Sequence, residues 1–161
     1  MNNSTLCVFS LVAAVSTASC GYAAPYQTSG PALSKEGVQI TIAGEQCYVN
    51  RSTEEYPTTT NDDELHVGVN LQVKNESNHV AVLSLDGFQL AADSKTDDVV
   101  MHPQESGSLS LAPGETKLVS LDFERQTQLG CHHSLALDPQ HAVAIEGTPV
   151  NLASIHFLPA H

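Results

Sequence analysis

The sequence predicts an all-β fold, an antiparallel sandwich or barrel of seven to nine short strands. Three observations carry this. Apolar residues recur at every second position, most clearly at Leu65, Val67, Val69, Leu71 and Val73, with His66, Gly68, Asn70 and Gln72 between them. No window after residue 35 shows the i, i+3, i+4, i+7 apolar stripe of an amphipathic helix. Turn-forming residues punctuate the apolar runs at short intervals, as in Ala112-Pro113-Gly114-Glu115.

The first 34 residues read differently. No Asp, Glu, Lys or Arg precedes Lys35, and Leu6 to Val15 is an apolar run interrupted only by Ser10. It is too short for a bilayer, which takes about 20 residues, and matches the apolar region of a secretory signal. Met1 to Thr5 departs from that pattern by carrying no basic side chain. Residues 1–24 are therefore expected to be a signal, with two cleavage readings. Thr17-Ala18-Ser19-Cys20 resembles a bacterial lipobox, with Thr17 where Leu is preferred, and makes Cys20 a lipidation candidate. Gly21 and Ala23 alternatively satisfy the small-x-small rule for cleavage near Ala23 or Ala24. Residues 25–34 then read as a neutral, flexible tether, and residues 35–161 as the domain.

Within the domain, Val38, Ile40 and Ile42 open the alternation. Val80 to Leu85 is denser and reads as a strand covered on both sides. Leu109 and Leu111 lead into the Pro-Gly turn, of type II by its residues, and Val119, Leu121 and Phe123 resume, giving a hairpin or a sheet corner. Leu135 and Leu137, then Val143 and Ile145, mark short strands. Val150, Leu152, Ile155 and Phe157 slip from a spacing of two to three, as across a β-bulge. Phe88, Phe123 and Phe157 are the expected aromatic core. The acidic stretches 51–64 and 91–98 read as solvated loops.

Charge and cysteine usage narrow the function. Eighteen acidic against six Lys and Arg residues give a formal charge of −12. Such a surface repels nucleic-acid phosphates and anionic lipid heads, which leaves a lipid anchor as the membrane link. Cys7 and Cys20 fall in the signal region, so the domain keeps Cys47 and Cys131. An oxidising compartment makes these a disulfide; neither sits in the CxxC spacing of thiolate metal sites.

Eight histidines raise the question of metal. His132 and His133 are adjacent and would chelate together only on a turn. His66 and His156 occupy polar positions of alternating runs and would meet if their strands paired. Asn61-Asp62-Asp63-Glu64 and Asp93 with Asp97-Asp98 offer oxygen ligands without the alternating spacing of a calcium loop. Gly107-Ser108-Leu109-Ser110-Leu111 fails the nucleophile-elbow pattern at its fifth position, and no paired carboxylates sit in an apolar setting. Asn50-Arg51-Ser52 and Asn75-Glu76-Ser77 are glycosylation sequons.

Val69 to Ser77 (VNLQVKNES) and Leu111 to Glu124 (LAPGETKLVSLDFE) resemble segments of immunoglobulin-like, telokin-type domains of bacterial secreted proteins and lipoproteins. The likeness spans about half of the domain, and NLASIHF fits the closing strand. It implies an immunoglobulin-like β-sandwich outside the cytoplasm and brings no catalytic residues. The chain departs from antibody-type domains in having no Trp to pack on the disulfide. Taken together, the sequence reads as an exported, non-catalytic module without a cofactor. It would be held in the cell envelope (periplasm, outer membrane or outside) and bind a protein or glycan partner. The alternative is a periplasmic metal-binding protein using His132, His133, His66 and His156.

Overall fold

The computed structural model describes residues 26–50, 63–92, 99–127, 129–139 and 141–159. The signal region with Cys20, most of the acidic loops, and Asp62, Asp93, Asp97 and Asp98 lie outside the described residues.

About three-fifths of the described residues are strand, and the one helical element among them is a single 3-10 turn. In chain order the strands are β1 (Tyr26–Thr28), β2 (Ala32–Leu33), β3 (Val38–Asn50), β4 (Glu64–Asn75) and β5 (Ala81–Ser84). A 3-10 turn at Leu85–Gly87 precedes β6 (Gln89–Ala92), β7 (Val100–Met101) and β8 (Ser108–Leu111). There follow β9 (Thr116–Gln126), β10 (Leu135–Asp138), β11 (Val143–Ile145), β12 (Thr148–Pro149) and β13 (Ile155–Pro159). They exceed the expected seven to nine because two- and three-residue edge strands leave too little alternation to read.

Three antiparallel sheets result, each with open edges, so the fold is not a closed barrel. The first has the order β2-β3-β4-β9, the second β1-β13-β10-β6-β7, and the third β12-β11-β5-β8. In the first sheet β4 is central and buries Leu65, Val67, Val69, Leu71 and Val73 on one face. Val119, Leu121 and Phe123 of β9 lie in register beside them. Buried residues of all three sheets join one core, with Phe88, Phe123 and Phe157 among its largest members.

The second and third sheets are linked through consecutive strands. β6 pairs with β10 in one, and β5 with β11 in the other. The chain crosses between them at the 3-10 turn, where Gly87 runs so close to the backbone of His141 that a Cβ there would collide with it.

Several expectations are corrected. Residues 26–33 are not a free tether. β1 pairs with β13, β2 pairs with β3, and Tyr26 is buried with its ring edge-on to Phe157. The run at Val80 is covered on one face only, since Ala81 and Leu83 are buried while Val80 and Val82 are exposed. Of the two forms expected for the Pro-Gly turn, the structure has the corner between sheets. β8 pairs with β5 and β9 with β4, with Gly114 at φ 78° and the Glu115 N–H donating to Ala112 O. Val150, Leu152, Ile155 and Phe157 are all buried, but only the last two belong to a strand; an irregular stretch, not a bulge, absorbs the slip.

Candidate functional site

Alternation that buries one face of β4 presents the other. Along it stand Glu64, His66 and Gly68. Antiparallel register places Tyr48 of β3 and Glu124 of β9 on either side of His66. Gln46 and Asp122 flank Gly68 in the same way. Glycine lets the Asp122 carboxylate lean over this row, since a Cβ there would come within 3.1 Å of Asp122 Oδ1. The result is a cleft of about 420 Å³ lined by Gln46, Tyr48, His66, Gln104, Asp122 and Glu124, with Gly68 at its floor.

His66 is the hub. Its ring stacks on Tyr48 with centroids 4.7 Å apart and planes 7° from parallel. Nε2 lies 3.1 Å from Glu64 Oε2 and 3.0 Å from the Asn50 amide, and Nδ1 lies 3.8 Å from Glu124 Oε2. Gln104 donates from Nε2 to the same Glu124 oxygen. One ligand atom from each of Glu64, His66 and Glu124 lies within 4.8 Å of the others. Metal-ligand chemistry accepts such a set of one imidazole and two carboxylates.

The carboxyls sit in two touching pairs. A hydrogen bond between Glu64 and Glu124 holds Glu124 above the usual carboxylate range, with burial adding to the effect. The same bond, with help from His66, holds Glu64 below it. One proton shared between two acids behaves this way, because ionising both in contact is costly. Burial first, and then the neighbouring Glu105 carboxylate, raises Asp122. Among the described residues, His66 is the one base beside these acids.

The other sequence-derived candidates scatter. His66 and His156 do not meet, since β4 pairs with β3 and β9 while β13 pairs with β1 and β10. His156 is exposed, opposite Ala136. His132 and His133 do share a turn, with ring centroids 4.2 Å apart, and burial followed by the charge of His132 lowers the pKa of His133. Neither joins Glu64 and Glu124. Cys47 and Cys131 stand at disulfide distance, Sγ to Sγ 2.07 Å, linking β3 to the segment that leads into β10. Asn75 is fully buried with its amide nitrogen engaged, so its sequon is closed in the folded domain. Glu124 escaped sequence reading because its partners lie about 60 residues upstream; its one local signal is a polar position in an alternating strand.

An all-β domain with a polar, acid-rich cleft on an open sheet face is the class this geometry defines. No protein-family model and no curated protein matches the chain. Among solved structures it is similar to a candidate lipoprotein of Bacillus subtilis subsp. subtilis str. 168, at 17% identity and TM-score 0.47, over 76% of this chain and 39% of that one. The chain thus spans about two-fifths of that protein's length. A structural-genomics target, SoR45, aligns at 9% identity and TM-score 0.47, over 77% of this chain and 87% of its own. A protein from Archaeoglobus fulgidus aligns at 11% and 0.38, over 75% and 99%. All three lie below the similarity at which shared function follows.

Proposed function

We propose that the chain is an exported, non-catalytic module of immunoglobulin-like sandwich build, held in the cell envelope, whose sheet-face cleft binds a neutral or amino-sugar glycan. The cleft carries this reading. Side-chain amides of Gln46 and Gln104, the Asp122 and Glu124 carboxyls and the Tyr48 ring converge on it. Amides and carboxyls match sugar hydroxyls, and an aromatic face suits a sugar's C–H face. The acid pairs and a formal charge of −12 disfavour sulfated or uronate glycans. Export is supported by the Cys47–Cys131 pair, since disulfides persist in oxidising compartments.

Absence of catalysis draws support from the Glu64–Glu124 contact. Glycoside hydrolases hold two carboxyls about 5 Å or more apart, on either side of the scissile bond. One carboxylate oxygen of Glu64 and one of Glu124 lie within 4.8 Å of each other, closer than that spacing. A protein partner is less well served. Among the described residues, the exposed large apolar side chains Leu33, Val80, Val82, Leu118 and Leu158 lie on or beside strands of three different sheets.

The test is binding of the purified domain to an array of neutral, amino-sugar and anionic oligosaccharides, beside the Gly68→Val variant. Valine presses on the Asp122 carboxylate, the free end of a side chain that can turn aside, at a position whose φ is not left-handed and suits a strand, so the fold should persist while the cleft changes shape. The expected result is binding to neutral or amino sugars that Gly68→Val abolishes. No binding, or equal binding by the variant, overturns the assignment. Intact mass from the producing cell tests the anchor: a chain beginning at lipidated Cys20 supports it, and an unmodified start after Ala23 or Ala24 removes it.

A further inference from the structure

We infer that Glu64, His66 and Glu124 form a divalent-cation site of the zinc class at the end of the cleft, independent of any glycan. Three features of the geometry converge there. First, the ligand atoms are already gathered within 4.8 Å of one another, so binding needs rotamer adjustments on two paired strands, β4 and β9, rather than loop ordering. A rigid antiparallel ladder keeps the entropic cost of assembly low. Second, the Glu64 and Glu124 carboxylates both lie beside His66, at 3.1 and 3.8 Å, and among the described residues no Lys or Arg ion pair reaches either. A dication held between them compensates both charges at once. Third, outer partners are in place. Asn50 stands at the His66 Nε2 and Gln104 donates to Glu124, the kind of second-layer hydrogen bonds that orient metal ligands.

The donor set selects the ion. One imidazole nitrogen with two carboxylate oxygens suits Zn²⁺, whereas Ca²⁺ prefers six or more oxygens. Cu⁺ prefers thiolate or thioether sulfur, and both domain cysteines stand at disulfide distance. Three protein ligands leave a fourth position, which opens toward the cleft formed with Gln104 and Asp122. The site is partly accessible, with side-chain exposures of 19% for His66, 27% for Glu64 and 35% for Glu124, so an ion can enter without opening the fold.

Isothermal titration of the metal-stripped, disulfide-intact domain with Zn²⁺ at neutral pH tests this, with Ca²⁺ in parallel and no glycan present. The expected result is one equivalent of Zn²⁺, weakened at least about tenfold by His66→Ala and by Glu124→Gln, with Ca²⁺ much weaker. The His132→Ala/His133→Ala double variant should bind as the parent does. Circular dichroism verifies that each variant is folded; Glu64→Gln serves as the replacement if one is not. Absence of stoichiometric Zn²⁺ binding overturns the assignment. So does retention in the His66 and Glu124 variants, loss in the His132/His133 variant, or a preference for Ca²⁺. Because no sugar is present, failure here leaves the glycan reading standing, and the reverse also holds.

Discussion

Replacing Asn75 probes how the sheets are locked together. It is the one polar residue fully buried among the described residues. Its Nδ2 donates to the carbonyls of His79, Leu111 and Ala112 at 2.8, 3.0 and 3.2 Å. Its Oδ1 accepts from the Ser77 N–H and hydroxyl at 3.0 and 2.7 Å. Its backbone is bonded to Gly114 and Glu115 in the corner between β8 and β9. One side chain therefore ties the end of β4 to the start of β5 and to a turn almost forty residues later. His79 O and Ala112 O keep other donors, in the Ser77 hydroxyl and the Glu115 N–H. The bond to Leu111 O is the fully buried one. In Asn75→Ala its loss costs about 2 kcal/mol, and the half-buried bonds, which water replaces, cost about 0.5 kcal/mol each. The total is about 4 kcal/mol, a large share of the roughly 5–15 kcal/mol that stabilises a domain. It should lower Tm by about 12–15 °C at this size. Asn75→Asp keeps the shape but sets a carboxylate against three carbonyl oxygens, so at neutral pH it should be worse than Ala and recover on acidification as a proton restores a donor. Thermal and urea denaturation at neutral and mildly acidic pH read both effects. A Tm loss below about 3 °C in Asn75→Ala, or an Asp variant milder than Ala, would refute the reasoning.

Three further outcomes follow from other parts of the molecule. Tyr26 buries its hydroxyl without a partner, and burial pushes its pKa up to about 12, so Tyr26→Phe should stabilise the domain by about 1 kcal/mol; a lower urea midpoint would show a missed partner. Cys47→Ala/Cys131→Ala removes a link spanning 84 residues and should cost up to about 4–5 kcal/mol by loop entropy, read as a lower midpoint that reductant no longer changes. Asp122 and Glu124 have folded pKa values above their unfolded ones, so their stabilisation is full below the unfolded values near about pH 4 and is lost as pH rises through the folded ones. Glu64, held low, acts with the opposite sign: its contribution is present above its unfolded value and lost as pH falls. Glu124→Gln keeps a neutral group beside Glu64. Its Tm should therefore match the parent's in acid and exceed it at neutral pH; a gap that does not change with pH would remove the shared proton from the account.

Alternation made β4 and β9 legible because each has one face in the core and one in water, so hydropathy alone marks the period. Leu111 to Glu115 was legible for a different reason: Pro and Gly encode backbone angles directly. β1, β2, β7 and β12 were not, since two or three residues carry no period and are strands only because a longer neighbour pairs with them. Tyr26 in particular looked like part of a neutral leader, and only its contact with Phe157 makes it core. At the site, His66 stood out as a polar residue within a strand. Glu64 stood out only within an acidic run, and Tyr48 and Glu124 not at all, because joining the three to His66 requires the register of three strands, and register arises from pairing rather than composition. His156 illustrates the converse: it had the same local signal but lies on the wrong sheet.

The pairing of Tyr26 with Pro159 sets an order of events. Of the strands described, the first to leave the ribosome or a translocation channel finds its ladder partner only after more than a hundred further residues have followed. Until then Tyr26 and the slot beside β13 stay exposed, and β13 itself leaves β10 without its neighbour. Contacts this distant in sequence slow folding, because a long loop must close before they form. Early folding is thus confined to the sequence-local ladder of β3, β4 and their neighbours, and the second sheet closes last. A chain made from its N-terminus onward thus keeps this sheet open until β13 has emerged.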